Sequence, residues 1–133
     1  IGQFMTQNVF TVHPDDIVDF AATLMDWRHV RHVPVESDSG RLVGLVSHRA
    51  LLRLVAQGRV GREHKVTVAE IMNRQPITVR PETATVEAIR LMRQHKLACL
   101  PVTSGGRLVG IVTEHDLIIV ASRLLEAQLD DTG

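Results

Sequence analysis

The sequence predicts an α+β fold made of two copies of one βαββα unit, packed sheet to sheet about a pseudo-twofold axis. Three observations lead there. First, the chain repeats itself. Leu24-Met25 and Leu91-Met92 lie 67 positions apart, and the same offset pairs Met5 with Met72, Thr11-Val12 with Thr78-Val79, Ala21 with Ala88, and Pro34-Val35 with Pro101-Val102. One deletion lowers the offset to 66, which pairs Gly40-Arg41-Leu42-Val43-Gly44 with Gly106-Arg107-Leu108-Val109-Gly110, and Leu51 with Leu117. An offset kept over so many positions marks a duplication. Second, each copy alternates helical spacing with β-rich runs. Third, a copy of roughly 50–60 residues is near the lower limit for an independent core. The two are therefore expected to pack on each other and create two equivalent clefts.

Each repeat opens on a short extended segment, Val9–Val12 and Ile77–Val79. A proline and acidic or Thr residues follow, with Asp16 and Thr83 as the expected N-caps. A helix comes next. Ile17, Phe20, Ala21, Leu24 and Met25 recur at helical spacing, as do Ala84, Ala88, Leu91 and Met92. Two β-rich runs then form a hairpin: Val30–Val35 with Leu42–Ser47 across Glu36-Ser37-Asp38-Ser39-Gly40, and Ala98–Thr103 with Leu108–Thr113 across Ser104-Gly105-Gly106. Such turn residues between strand-like runs are the hairpin signal. A second helix closes each repeat, Arg49–Gln57 and His115–Leu129, with Asp130-Asp131 as a frayed tail. Between the repeats, Gly58–Lys65 is rich in Gly and charge, and Thr67-Val68-Ala69-Glu70 has the form of a capping box. The expected division is 1–58 for the first repeat, 59–66 for the linker and 67–133 for the second.

Composition narrows the function. Hydrophobic residues make up 44% and aromatics 3%, so the core must be aliphatic. Fifteen Lys+Arg balance fifteen Asp+Glu, which argues against a broad nucleic-acid surface but not against a small anionic ligand. No apolar run approaches the ~18 residues of a membrane span, and no signal peptide is visible. The single Cys99 excludes an internal disulfide and suits a reducing, cytoplasmic setting. The chain opens on Ile1 without a Met, which leads us to expect a segment of a longer protein whose first repeat is truncated at its start.

The x-Pro-Val strands and the Gly-Arg-Leu-Val-Gly hairpin exits occur in the same order in both halves, and Gly110-Ile111-Val112-Thr113-Glu114-His115-Asp116 completes the second. As an ordered set they resemble the CBS domain pair, or Bateman module, over nearly the whole chain. The last segment fits that family's Gly-h-h-[Ser/Thr]-x-x-Asp nucleotide motif. The resemblance implies a regulatory module for adenosine-containing ligands: AMP, ADP, ATP or S-adenosylmethionine. It also implies a homodimer through the helices and control of a fused or separate effector. Neither enzymatic activity, a required cofactor, nucleic acid nor a membrane span is implied.

The motif has a chemistry of its own. Thr113 is placed at the N-cap of the last helix and Asp116 at N3. Thr-x-x-Asp is a variant capping box, which needs no ligand. A carboxylate can also accept both hydroxyls of a vicinal ribose diol, beside a helix end suited to phosphate. The two readings are compatible. The first repeat departs from the motif: Gly44-Leu45-Val46-Ser47-His48-Arg49-Ala50 keeps Gly and Ser but places Ala50 where Asp stands in the second. One competent cleft is therefore expected.

By the resemblance, Thr113, His115 and Asp116 would face Met5, Phe10, Thr11, Val30, Arg31, His32 and Pro34. Phe10, Val30 and Pro34 would be walls for a base, and Arg31, His32 and His115 phosphate ligands. The weaker cleft would use Ile77, Thr78, Ala98, Cys99, Pro101, Ser47 and Arg49. Among the seven histidines, His29 and His32 straddle a helix end and a strand start, and His13, His48, His64, His95 and His115 are scattered. No zinc spacing results, and no catalytic triad or paired-carboxylate motif stands out. The alternative to a sensor is a structural dimerisation module without ligand, which Ala50 favours and Asp116 opposes.

Overall fold

A computed structural model of the protein describes residues 1–59 and 65–132. Its elements run α1 (Val18–Arg28), β1 (His32–Glu36), β2 (Leu42–Ser47), α2 (His48–Ala56), α3 (Val68–Ile71), α4 (Thr85–His95), β3 (Cys99–Ser104), β4 (Arg107–Thr113) and α5 (Glu114–Thr132). β1 and β2 form one two-stranded sheet, and β3 and β4 another. The first is antiparallel, with His32 opposite Ser47 and Pro34 opposite Leu45. The mixed α+β architecture and both hairpins are as the sequence predicts. The linker expected around Gly58–Lys65 lies largely at 60–64, outside the described residues.

The chain divides into two compact units. Unit 1 comprises Ile1–Asn8, Ile77–Ser104 and Val109–Gly133, and unit 2 comprises Val9–Pro76 and Gly105–Leu108. Each builds its core from the same positions of the repeat. In unit 2 these are Val12, Ala21, Met25, Val33, Val35 and Val46. In unit 1 they are Val79, Ala88, Met92, Leu100, Val102 and Val112. The offsets of 67 and then 66 map one set onto the other, so the duplication extends from sequence to core packing. All these side chains are aliphatic or sulfur-containing, as the scarcity of aromatics requires.

Several local expectations are corrected. The opening segments Val9–Val12 and Ile77–Val79 pair at one residue each. Val12 bridges Val35 and Val79 bridges Val102, both parallel. Asp16 and Thr83 are not N-caps, because α1 and α4 begin after Ile17 and Ala84. They instead close the preceding turns: the Asp16 carboxylate accepts from the His13 N–H at 2.8 Å, and the Thr83 hydroxyl accepts from the Arg80 N–H at 2.9 Å. Helix start thus slips by one residue, while Ala21, Leu24 and Met25 are buried as their spacing predicts. Val18 is buried, whereas Ile17 and Phe20 are 46% and 49% exposed. Asp130-Asp131 is helical backbone, not a frayed tail, since α5 continues to Thr132.

Two further features follow the repeat. α1 ends on His29 and α4 on Lys96, each left-handed, with φ of 55° and 54°. This closes each helix with an N–H bonded back to the carbonyl of Met25 or Met92. The capping box of α3 forms as expected: the Glu70 carboxylate accepts from the Thr67 N–H at 2.7 Å. Those bonds to Thr67 hold the Glu70 carboxyl below its usual range.

Candidate functional site

The motif glycine of each repeat sits under a methionine. A Cβ on Gly110 would lie 2.7 Å from Met5 Sδ and 2.9 Å from the Thr6 carbonyl oxygen. A Cβ on Gly44 would lie 2.6 Å from Met72 Sδ and 3.0 Å from the Asn73 carbonyl oxygen. The chain at Thr6 bridges Ile111 through two backbone hydrogen bonds of 2.8 and 3.0 Å. Asn73 does the same to Leu45 at 2.9 and 3.0 Å. The glycine therefore admits a crossing segment, beyond its expected part in freeing the strand exit. Met5 thus lies against β4, the strand that leads into the helix of Asp116.

At the head of α5, Thr113 and Asp116 form the reciprocal box. Asp116 Oδ2 accepts from the Thr113 N–H at 3.0 Å, and Thr113 Oγ1 accepts from the Asp116 N–H at 3.2 Å. Among the described residues the bonding to this carboxylate stops at Oδ2, which leaves Oδ1 with acceptor capacity. Both side chains are partly buried, and His115 beside them is exposed. The structural role is thus present and does not exhaust the carboxylate.

At the head of α2 the same position is built differently. Ser47 Oγ accepts from the Ala50 N–H at 3.3 Å, so the cap survives without the acid. No acidic residue stands in the first turn of α2, whereas Glu114 and Asp116 stand in that of α5. His48-Arg49 replaces Glu114-His115. The His48 N–H donates to the Arg31 carbonyl at 2.8 Å, and the His32 and His48 rings meet edge to face with centroids 6.2 Å apart. Burial first, then the His48 ring and the Arg31 and Arg49 guanidiniums, hold the His32 imidazole below the ordinary histidine range. Sequence reasoning placed Arg31 and His32 in one cleft and Ser47 and Arg49 in the other. The structure gathers all four in unit 2, around His48, which sequence reasoning missed as a site residue. The signal was available in the swap of Glu114-His115 for His48-Arg49 at the offset of 66.

The remaining candidates divide by burial. Phe10 and Val30 are 37% and 39% exposed, whereas Pro34 is fully buried. Phe10 has neighbours that the sequence did not suggest. The Arg28 guanidinium lies 3.9 Å from its ring centroid and Trp27 meets it edge to face at 6.3 Å. Thr11 donates to Glu36 at 3.4 Å. Of the weaker set, Ala98 and Thr78 are exposed, Ile77 is half-buried, and Cys99 and Pro101 are buried. Burial pushes the Cys99 thiol up to about 12, so it is an inert core residue rather than a nucleophile. Among the described residues no group of three or more His, Cys, Asp or Glu side chains could hold a metal ion. His64 lies outside those residues. No described helix is long and apolar enough to cross a membrane.

Duplicated hairpins, helices closing each repeat and a Gly-h-h-Thr-x-x-Asp segment at a helix head define a tandem α+β repeat fold. The CBS domain family profile matches residues 1–57 and 68–123, and the chain belongs to that family as a CBS domain pair. The CBS domain-containing protein YhcV of Bacillus subtilis is 36% identical over 116 residues, covering 86% of this chain and 80% of that protein. The structure of CBSX2, a CBS-pair protein of Arabidopsis thaliana, in complex with AMP has a TM-score of 0.82 at 34% identity, over 92% of this chain and 96% of that one. The CBS domain pair of protein MJ0100, in complex with methylthioadenosine and S-adenosyl-L-methionine, has a TM-score of 0.80 at 26% identity, over 96% of both chains.

Proposed function

We propose that this CBS pair is a regulatory module that binds an adenosine-containing ligand, of the AMP, ADP, ATP or S-adenosylmethionine class, and so controls an attached or partner effector. The observation that carries the reading is the Asp116 carboxylate. It spends Oδ2 on the helix cap and keeps Oδ1 as an acceptor for a ribose hydroxyl. Thr113 and His115 stand with it in unit 1. Unit 2 carries a different chemistry of its own: exposed apolar surface at Phe10 and Val30, and N–H donors at Arg31, Arg49 and His32. The first repeat, with Ala50, supplies no ribose acceptor, so one nucleoside is expected per chain. The adenosine ligands in the CBSX2 and MJ0100 structures support the class.

Thermal shift over AMP, ADP, ATP, S-adenosylmethionine, GMP and NADH tests this. At 100 times its dissociation constant a ligand stabilises by about 2.7 kcal/mol. At least one adenosine compound should raise the midpoint, and a flat response at millimolar concentration would defeat the proposal.

A second reading, a dimerisation module without ligand, is favoured by the outer faces of the helices. In unit 1, Val86 is 64%, Ile118 63% and Leu125 65% exposed. These faces also support a homodimer for the sensor, so dimerisation alone does not separate the readings; the ligand panel does.

A further inference from the structure

We infer that two copies of this chain meet with α1 of each on α4 of the other, so that the homodimer pairs unlike helices rather than like ones. The inference deepens the homodimer reading by naming which helix meets which, and it uses no ligand chemistry.

α1 and α4 are the same helix of the repeat, and their buried sides agree: Ala21 and Met25 in one, Ala88 and Met92 in the other. Their outer sides have diverged in charge and in shape. At the offset of 67, Asp26 stands where α4 has Arg93, Phe20 where it has Glu87, and Trp27 where it has Gln94. On α1, Phe20 and Trp27 share one stripe, 49% and 67% exposed. Asp19 and Asp26 share the stripe beside it, and both are exposed. Arg28, the base in the last turn, is turned onto the Phe10 ring. The outer face of α1 is thus aromatic and acidic.

α4 presents the complement. Its outer side is a groove lined by Val86, Ile89, Arg90, Arg93 and Gln94. A second hollow shares Ile89 and Arg93 and runs on to Leu117 and Ile118 of α5, with Glu114 as the acid on that side. Arg90 is tied to Glu87 at 2.9 Å. Arg93 makes no ion pair among the described residues, and neither do Asp19 and Asp26.

Pairing like with like would set Asp26 against Asp26 and Arg93 against Arg93, and would bring aromatic stripe to aromatic stripe and groove to groove. Crossed pairing sets Asp26 against Arg93 and seats Phe20 and Trp27 on Val86 and Ile89. Complementary charge selects the orientation of such a contact, and buried aromatic anchors supply most of its strength. A twofold axis makes the crossed contact twice, which closes the dimer. Duplication alone gives two equal faces. The exchange of acid for base at one repeat position makes the α1 of one copy fit the α4 of its partner.

Sedimentation velocity of the whole chain at low salt reads the pairing. Asp26→Arg and Arg93→Asp, both at exposed positions, should each weaken the dimer by roughly tenfold, since an attractive pair becomes a repulsive one at both contacts. The double variant Asp26→Arg/Arg93→Asp restores unlike charges and should return to within about threefold of the wild type. Cross-linking with a short bifunctional maleimide is the second readout. The native Cys99 is buried and its thiol is pushed up to about 12, so only introduced thiols react. A mixture of Thr23→Cys and Gln94→Cys chains should give the mixed product, and neither variant alone should link to itself. Single charge variants that dimerise as tightly as the wild type would overturn the crossed pairing. So would a Thr23→Cys chain that links to itself, a mixture without mixed product, or a wild type that stays monomeric. If AMP fails to bind while the double variant regains the dimer, the nucleotide reading falls and the pairing stands. If AMP binds and the single variants leave the dimer unchanged, the pairing falls alone.

Discussion

Gly44 and Gly110 show how one residue type serves both the fold and the site. Each lies where a strand exits toward the head of a helix, and each is overlain by a methionine and a carbonyl oxygen too close for a side chain. Gly44→Ala would have to push aside Met72 and the Asn73 backbone, whose hydrogen bonds tie α3's exit to β2. We expect a loss of roughly 1–3 kcal/mol, the usual cost of overpacking, measured by urea unfolding; no loss would mean that the Met72 segment yields freely. His32 makes the second residue-scale prediction. Its folded value is depressed, so the unfolded chain binds the proton more readily. The stability that His32 contributes is therefore complete above its unfolded pKa of ~6.5 and is lost as the pH falls through the lower folded value. In an anion-poor buffer the thermal midpoint should fall between pH 7 and 5 more steeply for the wild type than for His32→Gln. Equal slopes would remove His32 from the account.

The elements were legible where periodicity was strong, and less so at their ends. Both hairpins and four long helices follow from patterns that burial confirms, such as Val33 and Val35 facing the core on β1. The starts of α1 and α4 were misjudged because Asp16 and Thr83 have capping chemistry, and the turn before each helix uses it first. The single-residue bridges at Val12 and Val79 could not be told from full strands, since an extended run does not reveal how many of its residues find a partner. The candidate site was legible at Asp116, where a motif stands on a helix start, whereas the contact of the His48 ring with His32 depends on the β1–β2 register, which the sequence does not display. The helices also carry the prediction about assembly. Ile118 points outward on α5 while Leu117 is buried, so Ile118→Glu should leave unit 1 folded and abolish a dimer in sedimentation velocity. A variant that still dimerises would place the interface elsewhere.

At the scale of the molecule, a duplicated core supports two divergent helix heads. The cores match position for position, whereas the first turns of α2 and α5 differ in charge: His48-Arg49-Ala50 against Glu114-His115-Asp116. Duplication explains the likeness, and under the proposed function the difference leaves a carboxylate acceptor for a ribose at the second head alone. The most direct test is calorimetric titration of AMP into the wild type and Asp116→Asn. The asparagine keeps an oxygen for the Thr113 N–H, so the cap is retained while the charged acceptor is lost. The account predicts one AMP per chain in the wild type. In the variant it predicts affinity weaker by about tenfold or more, since a hydrogen bond to a charged group contributes roughly 1.5–3 kcal/mol. The dideoxy analogue, which lacks both ribose hydroxyls, should bind the two proteins alike. Two AMP per chain, or an Asp116→Asn affinity equal to that of the wild type, would contradict it.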